Sequence, residues 1–324
     1  MTSAHRQRRP IVKDHRSFLG KLRQLVKNIF VGLCAFAFLS AVILVALAYG
    51  SLRSFSQKKY PQRIVITSSV LDDNSNPFLI VYIDNAHQQL ILLNLTDQLK
   101  ISVLGGYGDY ELRSVGPLLN LEKKPASFIR SAYALGLEQG LDDVILLDKV
   151  KVSAELNAKS ILWQILTATE LKSTLNLWQR WQLFCYAWRL PENKVKVSRV
   201  DTLESWQAWQ KDQLQSVNPS CSLSVINTTS KVKLATKIGQ ILENSGVRVV
   251  RTATEGDQQP QTEIKFSPHA RDCDYSLSQA VKLLPFTGLK PIPDDEADAR
   301  YRSDVVVLIG SDLGNLVDPG ATLQ

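Results

Sequence analysis

The longest stretch without a charged residue is an apolar run near the N-terminus, Ile29 to Tyr49. At a helical rise of about 1.5 Å per residue, this run covers roughly the 30 Å hydrocarbon core of a bilayer. We therefore expect one transmembrane helix at 29–50, with membrane lipid as its partner, between a basic tail at 1–28 and a linker at 51–62.

Apolar runs after the linker predict strands. Phe78 to Asp84 and His87 to Leu95 are rich in aliphatic residues and are joined by Asn85 and Ala86, which is typical of a β-hairpin. Helical patterns follow at 127–136 and 160–171, and a short buried strand is predicted between them at 144–147. We expect a mixed α/β domain at 63–217.

The helical pattern from Leu175 to Leu190 is crowded with aromatic residues. Trp178, Trp181 and Trp188 fall near one face, together with Cys185. An aromatic stripe at helical spacing is typical of a packed core, and we expect this one in the core. The alternative is the wall of an apolar ligand cavity.

A polar run ending in Asn-Pro, Gln215 to Ser220, marks a boundary before a second domain at 221–313 and a tail at 314–324. A Thr-Thr-Ser sequence at 228–230 offers N-cap oxygens for its first helix. Its predicted strands and helices are 221–227, 234–245, 247–252, 263–266, 276–284 and 304–310. The strand-helix-strand start implies parallel pairing. The fold class expected for the chain is α/β, preceded by one transmembrane helix.

The positive charge of the chain is concentrated at its start. The chain has 38 basic and 31 acidic residues, a net charge of +7. The tail up to Lys27 carries eight cations against Asp14, also +7, so the rest of the chain is neutral. The positive-inside rule explains this flank, and we expect no nucleic-acid partner. The N-terminus is expected in the cytoplasm and the bulk of the chain outside it. The competing interpretation is a signal peptide cleaved after Ala48, because Ala46 and Ala48 form an A-x-A pattern.

The four cysteines fall into two groups. Cys34 lies in the anchor and Cys185 in the aromatic helix. Cys221 and Cys273 lie in the second domain, where thiols of an exported protein commonly pair. We expect a disulfide between these two; a pair of separate buried thiols is the alternative.

Signatures of nucleotide, metal and serine chemistry are incomplete. Gly105, Gly106 and Gly108 form a G-G-x-G loop without the Lys and Ser or Thr of a Walker motif, so a structural loop is expected. Asp272 and Asp274 spell D-x-D, a carboxylate pair that many glycosyltransferases use to hold a metal-bound nucleotide sugar. They flank a cysteine expected in a disulfide, and we expect no metal and no cofactor. The sequence contains no G-x-S-x-G elbow.

Residues 60–217 resemble the LytR-CpsA-Psr (LCP) family in their layout. The resemblance is carried by a strand hairpin, the segment GGYGDYELRSVGPL, the stretch SFIRSAYALGLEQGLDDVILLD, and an aromatic helix followed by KVKVSRVD. It implies a membrane-anchored enzyme of the bacterial envelope that moves a glycan polymer from a polyprenyl pyrophosphate carrier onto the cell wall.

The working motif of that family differs in this chain. Its pattern, approximately S-I-P-R-D-T, matches Asn94 to Leu99, so Asp97 stands in place of the arginine and Gln98 in place of the acidic residue. Phosphoryl transfer needs cations or a metal at the phosphates, and a carboxylate reverses that sign. We therefore expect a degenerate domain without catalytic residues. Arg113 and Arg130 remain candidates for ligand binding, with solvated surface arginines as the alternative.

The second domain resembles the LytR C-terminal domain, which often follows LCP domains. It begins with VINTTSKVKLATKIGQILENSGVRVV and ends with DVVVLIGSDL. This resemblance implies an envelope role and names no catalytic residue.

Three functions stay open. The favoured one is an anchored envelope protein that binds a lipid-linked or cell-wall glycan, or a protein partner, without chemistry. The others are an active LCP-type phosphotransferase that uses displaced arginines and a divalent metal, and a membrane glycosyltransferase. The oligomeric state is not predicted.

Overall fold

The computed structural model describes residues 15–56, 61–71, 78–96, 99–148, 158–168, 171–214 and 220–317. It divides the chain into two compact units, Met1–Phe55 and Ser56–Gln324, which are described separately.

The described residues of the first unit form a helix, α1 (His15–Ser56). It begins before the predicted span and ends after it, because no proline or other strong helix breaker flanks the apolar run. Phe30, Phe36 and Phe38 are exposed. Among the described residues, this is the one helix long and apolar enough to cross a membrane, judged by length and composition, with a candidate span at Arg23–Ser40.

The second unit begins with a six-stranded sheet whose strand order is β7-β6-β1-β2-β3-β8. Residues 61–214 are called the first part of this unit. Its elements are β1 (Gln62–Ser68), β2 (Phe78–Asp84), β3 (Gln89–Leu95), β4 (Lys100–Val103), β5 (Gly108–Glu111), α2 (Leu112–Leu121), α3 (Ala126–Gly136), β6 (Asp143–Leu147), α4 (Ala158–Thr167), β7 (Leu171–Ser173), α5 (Leu177–Arg189), a 3-10 turn (Glu192–Lys194), β8 (Val195–Val200) and α6 (Leu203–Leu214).

Strand β1 lies at the centre of this sheet, antiparallel to β2 and parallel to β6. Val65 is paired with Ile80 on one side and with Val144 on the other. Both Val65 and its neighbour Ile64 are buried, so both faces of the sheet are covered. The hairpin predicted at Phe78 to Leu95 is present as the antiparallel pair β2–β3.

Residues 220–317 are called the second part, and they contain a five-stranded sheet of order β10-β9-β13-β11-β12. Its elements are β9 (Ser222–Asn227), α7 (Leu234–Asn244), β10 (Arg248–Thr254), β11 (Glu263–Phe266), α8 (Asp274–Leu283), β12 (Ile292–Pro293), α9 (Ala297–Tyr301), β13 (Val305–Ile309) and α10 (Ser311–Val317). β9 and β10 pair in parallel, as the strand-helix-strand pattern predicts. The expected α/β class with an apolar N-terminal helix is confirmed.

Three local expectations were wrong. The helix expected at 160–171 ends at Thr167, and Leu171 begins a strand. The Thr-Thr-Ser sequence does not cap α7, whose N-cap is Lys233. Instead Asn227 accepts hydrogen bonds from the amide and hydroxyl of Thr229 and forms a turn. Residues at the start of the expected tail form α10, and Gly105 donates its N–H to the carbonyl of Leu316.

One hydrophobic cluster runs through both parts of the second unit. It contains Val65 and Ile129 of the first part together with Ile238 and Val307 of the second. Apart from Ser220, the boundary predicted at 215–220 lies outside the described residues. The domain limits stay a prediction, and the two parts share a continuous core.

Candidate functional site

The two arginines predicted as ligand contacts make separate contacts within the protein. Arg113 in α2 donates from Nε to Glu111 Oε2 at 3.0 Å. Arg130 in α3 donates from Nε to the backbone carbonyl of Lys282 in α8, also at 3.0 Å. Arg113 therefore forms a half-exposed ion pair, while Arg130 joins the first part to the second.

Asp142 is the centre of this contact between the parts. Its carboxylate is buried and accepts hydrogen bonds from the backbone N–H of Arg63 at 2.9 Å and from Gln279 Nε2 at 3.0 Å. The ammonium of Lys282 approaches the same carboxylate at 2.7 Å. Three donors from both parts thus converge on one buried anion.

Neighbouring charges shift the pKa values of this cluster in opposite directions. Burial acts to raise the pKa of Asp142, but Lys282 and Arg63 outweigh it and hold that pKa below its ordinary value. Burial and the adjacent Asp142 raise the pKa of Asp143 to about 6. Burial lowers the pKa of Arg130, against the opposing effect of the two carboxylates. The cluster is charged and tightly packed.

The turn after α7 completes the contact between the parts. Gly140 donates its N–H to Ser245 Oγ at 2.7 Å, and the carbonyl of Ser245 accepts from the hydroxyl of Tyr275. Two further hydrogen bonds cross the contact. The side chain of Gln139 donates to the backbone carbonyl of Asn244, and the side chain of Asn244 donates to the backbone carbonyl of Glu138. Every one of these groups is used to hold the two parts together.

A cleft of about 370 Å³ opens beside the start of α7. Three lysines of the second part line it, Lys231, Lys233 and Lys237, and Glu138 is contributed by the first part. The sequence signal for this cleft is the close spacing of the lysines in S-K-V-K-L-A-T-K. The ammonium groups in its lining suit an anionic ligand.

The aromatic stripe is on the surface, and its expected place in the core was wrong. Trp178, Trp181 and Trp188 are exposed, and Cys185 is partly buried. The buried face of α5 is formed by other residues, Leu183, Tyr186 and Ala187. Helical spacing identified a stripe of large side chains but could not tell which side of the helix faces the sheet.

A disulfide is present in the second part, as the sequence predicts. It joins Cys221 and Cys273, with an S–S distance of 2.10 Å. Asp304 lies close enough that these three residues have the spacing of metal ligands. The sulfurs are bonded to each other, and the Asp304 carboxylate accepts from the amide and hydroxyl of Ser222 at 2.8 and 2.7 Å. With the disulfide formed, these described residues have a structural role.

The D-x-D pair does not form a cluster of this kind in the described part of the chain. Asp272 adopts a positive φ of 56°, and Asp274 begins α8. Asp97 and Gln98, on which the expected loss of catalytic residues depends, lie outside the described residues.

Fold and site together define an α/β protein with one long apolar N-terminal helix and a disulfide in its second part. Residues 220–313 match the family model of LytR_C, described as LytR cell envelope-related transcriptional attenuator. The match agrees with the resemblance to the LytR C-terminal domain that the sequence of this segment predicts. No curated protein matches the chain in sequence.

Solved structures similar to the chain include TagV and TagT of Bacillus subtilis. TagV is 7% identical with a TM-score of 0.34, and the match covers 49% of this chain and 98% of TagV. TagT is 10% identical with a TM-score of 0.35, and the match covers 49% of this chain and 92% of TagT. A TagT structure bound to LI-WTA is 9% identical with a TM-score of 0.33, covering 49% and 91%. Likeness at this level carries no functional argument.

Proposed function

We propose that this protein is a membrane-anchored envelope protein that binds an anionic lipid-linked or cell-wall glycan without transforming it. The observation that carries the proposal is a difference in the contacts that two sets of cationic side chains make. Arg113 and Arg130 have partners within the protein, whereas Lys233 and Lys237 line a cleft that is open to a ligand.

The state of the arginines argues against phosphoryl transfer. Catalysis of that reaction needs cations or metal ions aimed at the charge that develops on the phosphates. Arg113 is neutralised by Glu111, and Arg130 is held against Lys282 and close to two carboxylates. Freeing Arg130 for a substrate would remove one hydrogen bond from the contact between the two parts.

The lysine cleft supports binding. Its volume, about 370 Å³, lies at the lower end of the range found for small-ligand pockets. Ammonium groups recognise phosphate as point charges and do not demand the planar, bidentate geometry of a guanidinium. A phosphate-bearing glycan offers repeated anions to such a site, and the neighbouring Gln240 and Thr236 supply hydrogen bonds for hydroxyl groups.

The orientation in the membrane is part of the same proposal. The basic residues before the apolar run support an N-terminus in the cytoplasm. Disulfides persist in oxidising compartments, and the bond between Cys221 and Cys273 agrees with a location outside the cytoplasm. The second unit then lies on the side of the membrane where wall glycans are assembled.

The test is glycan binding by the full chain in nanodiscs. The probe is a polymer of phosphodiester-linked sugars, compared with a neutral polymer of the same sugar. We expect binding of the anionic polymer only, weakened about tenfold or more in the double variant Lys233→Gln and Lys237→Gln. Lys290→Gln, at an exposed lysine outside the cleft lining, is the matched control. Equal binding by the double variant and the unchanged chain would show that the cleft is not the binding site.

A further inference from the structure

Four exposed tryptophans lie on α4 and α5. Their exposed fractions are 52% for Trp163, 42% for Trp178, 38% for Trp181 and 63% for Trp188. Phe184 lies among them, with its ring centroid 5.3 Å from Trp163, 6.1 Å from Trp181 and 5.6 Å from Trp188. These four tryptophans are called the aromatic surface.

The core of the protein does not need the aromatic surface. Helix α4 buries Ile161, Leu162 and Ile165, and α5 buries a separate row of residues on its other side. Arg180 donates to the carbonyl of Ile165 and ties the two helices together. So large an apolar area left in water is unusual for a soluble protein and marks a contact surface.

Charge distinguishes among the possible contacts. Helices α4 and α5 contain the cations Lys159, Arg180 and Arg189 and no acidic residue. The ammonium of Lys159 lies 5.6 Å from the ring centroid of Trp188. Tryptophan with lysine or arginine is the combination found at the membrane–water interface, where the rings sit among headgroups and the cations meet anionic lipid.

We propose that the aromatic surface docks on an anionic bilayer surface. This rests on the membrane anchorage in the proposed function. Only residues 57–61 join the end of α1 at Ser56 to the start of β1 at Gln62, so the second unit is tethered to the bilayer that α1 crosses. Docking places each exposed indole in the interfacial layer, with its N–H toward water and its ring toward the acyl chains.

The tryptophans themselves report on docking. The chain has six, and none lies in α1. Besides the aromatic surface there are Trp206, which is fully buried, and Trp209, which stacks on it at 5.5 Å. Lipids with brominated acyl chains quench only indoles at the bilayer, so emission from the full chain in vesicles distinguishes the aromatic surface from Trp206 and Trp209.

The experiment reconstitutes the full chain in vesicles of phosphatidylcholine with about one third phosphatidylglycerol, with and without bromine. We expect emission to fall about twofold in brominated vesicles, together with protection from aqueous acrylamide. The double variant Lys159→Glu and Arg189→Glu retains all six tryptophans and should lose at least half of this quenching. Lys290→Glu should leave it unchanged.

The outcomes separate this proposal from the proposed function. If the chain floats with the vesicles but bromine has no effect and acrylamide quenches freely, the surface faces water and the docking proposal is wrong. Protection by an added glycan or protein partner instead of lipid would also overturn it. A chain that fails to float would contradict the anchorage itself, and the docking with it.

Discussion

Lys282 donates from its ammonium to Asp142 Oδ1 at 2.7 Å, across 140 positions of sequence. Asp142 immediately precedes β6 of the first sheet, and Lys282 is in the last turn of α8 of the second part. The pair is part of a network in which Arg63, Gln279 and Ser245 also take part. The two parts of the second unit are therefore held as one body by charge as well as by apolar packing.

Removing the cation from this pair should destabilise the fold. Lys282→Met leaves the Asp142 carboxylate buried without its ion-pair partner, and we expect a loss of about 2–4 kcal/mol in the free energy of unfolding. Urea unfolding of the full chain in detergent measures it. Combining Lys282→Met with Asp142→Asn should recover part of the loss. Lys290→Met, at an exposed position, should change little. A loss of the same size at both lysines would contradict the role of the pair.

Asp143 should make stability fall as the pH rises through about 6. Its pKa is higher in the folded state than in the unfolded chain, so the folded state binds the proton more tightly and the charged carboxylate costs stability above that pH. Asp143→Asn keeps an acceptor for the hydroxyl of Thr174, which donates to Asp143 at 2.9 Å. We expect it to stabilise the protein by on the order of 1–2 kcal/mol at pH 7.5 and not at pH 4.

Guanidinium unfolding at pH 4 and pH 7.5 measures this effect, and Asp142 provides an internal check. The lowered pKa of Asp142 gives stability the opposite pH dependence. Asp142 contributes to stability above the ordinary carboxyl pKa, and this contribution disappears as the pH falls below it. That contribution is common to the variant and the unchanged chain. A gain from Asp143→Asn that is equal at both pH values would therefore rule out a titrating Asp143.

Gly140 is needed for the close approach of the two parts. A Cβ at this position would overlap the side chain of Ser245, with Gln279 also in contact. Gly140→Ala should therefore cost about 1–3 kcal/mol by overpacking and lower the melting temperature by several degrees. Gly256→Ala is the control, because nothing lies within 4 Å of its added Cβ. Rescue of Gly140→Ala by Ser245→Gly would assign the effect to this contact.

The disulfide should be a large contributor to the stability of the second part. Cys221 and Cys273 are 52 positions apart, and the chain-entropy model gives about 4 kcal/mol for closing a loop of that length. We expect the Cys221→Ala and Cys273→Ala double variant to lose a comparable amount in guanidinium unfolding. Cys185→Ala, which removes a free thiol, is the control. If the unchanged chain were equally stable with and without a reductant, the disulfide would have no such role.

Sequence patterns identified the elements with strong local signals. The hairpin β2–β3 and the parallel pair β9–β10 follow from continuous apolar runs and from the glycine that ends the intervening helix, Gly246. Helix α2 was missed, because it contains both Gly116 and Pro117, which weaken the helical pattern. The sequence did not show that the tryptophans of α5 are exposed, because α5 has two apolar stripes and only packing decides which one is buried.

The candidate site was less predictable than the fold. The contact around Asp142 joins residues far apart in sequence, and no local pattern marks them as neighbours. Arg130 was identified as a functional candidate by its residue type alone, whereas its hydrogen bond to Lys282 depends on how the two parts pack. The lysines of the cleft are close in sequence, but a cleft exists only where the first part supplies Glu138.

The central claim, that the protein binds a glycan without transforming it, is tested most directly by turnover. The full chain in nanodiscs is incubated with an oligosaccharide on a polyprenyl pyrophosphate carrier and with Mg²⁺ or Mn²⁺, and release of the polyprenyl phosphate is followed. We predict no release above the rate without protein. Metal-dependent release that is lost in Arg113→Ala, a half-exposed position outside the core, would contradict the claim and identify an active phosphotransferase.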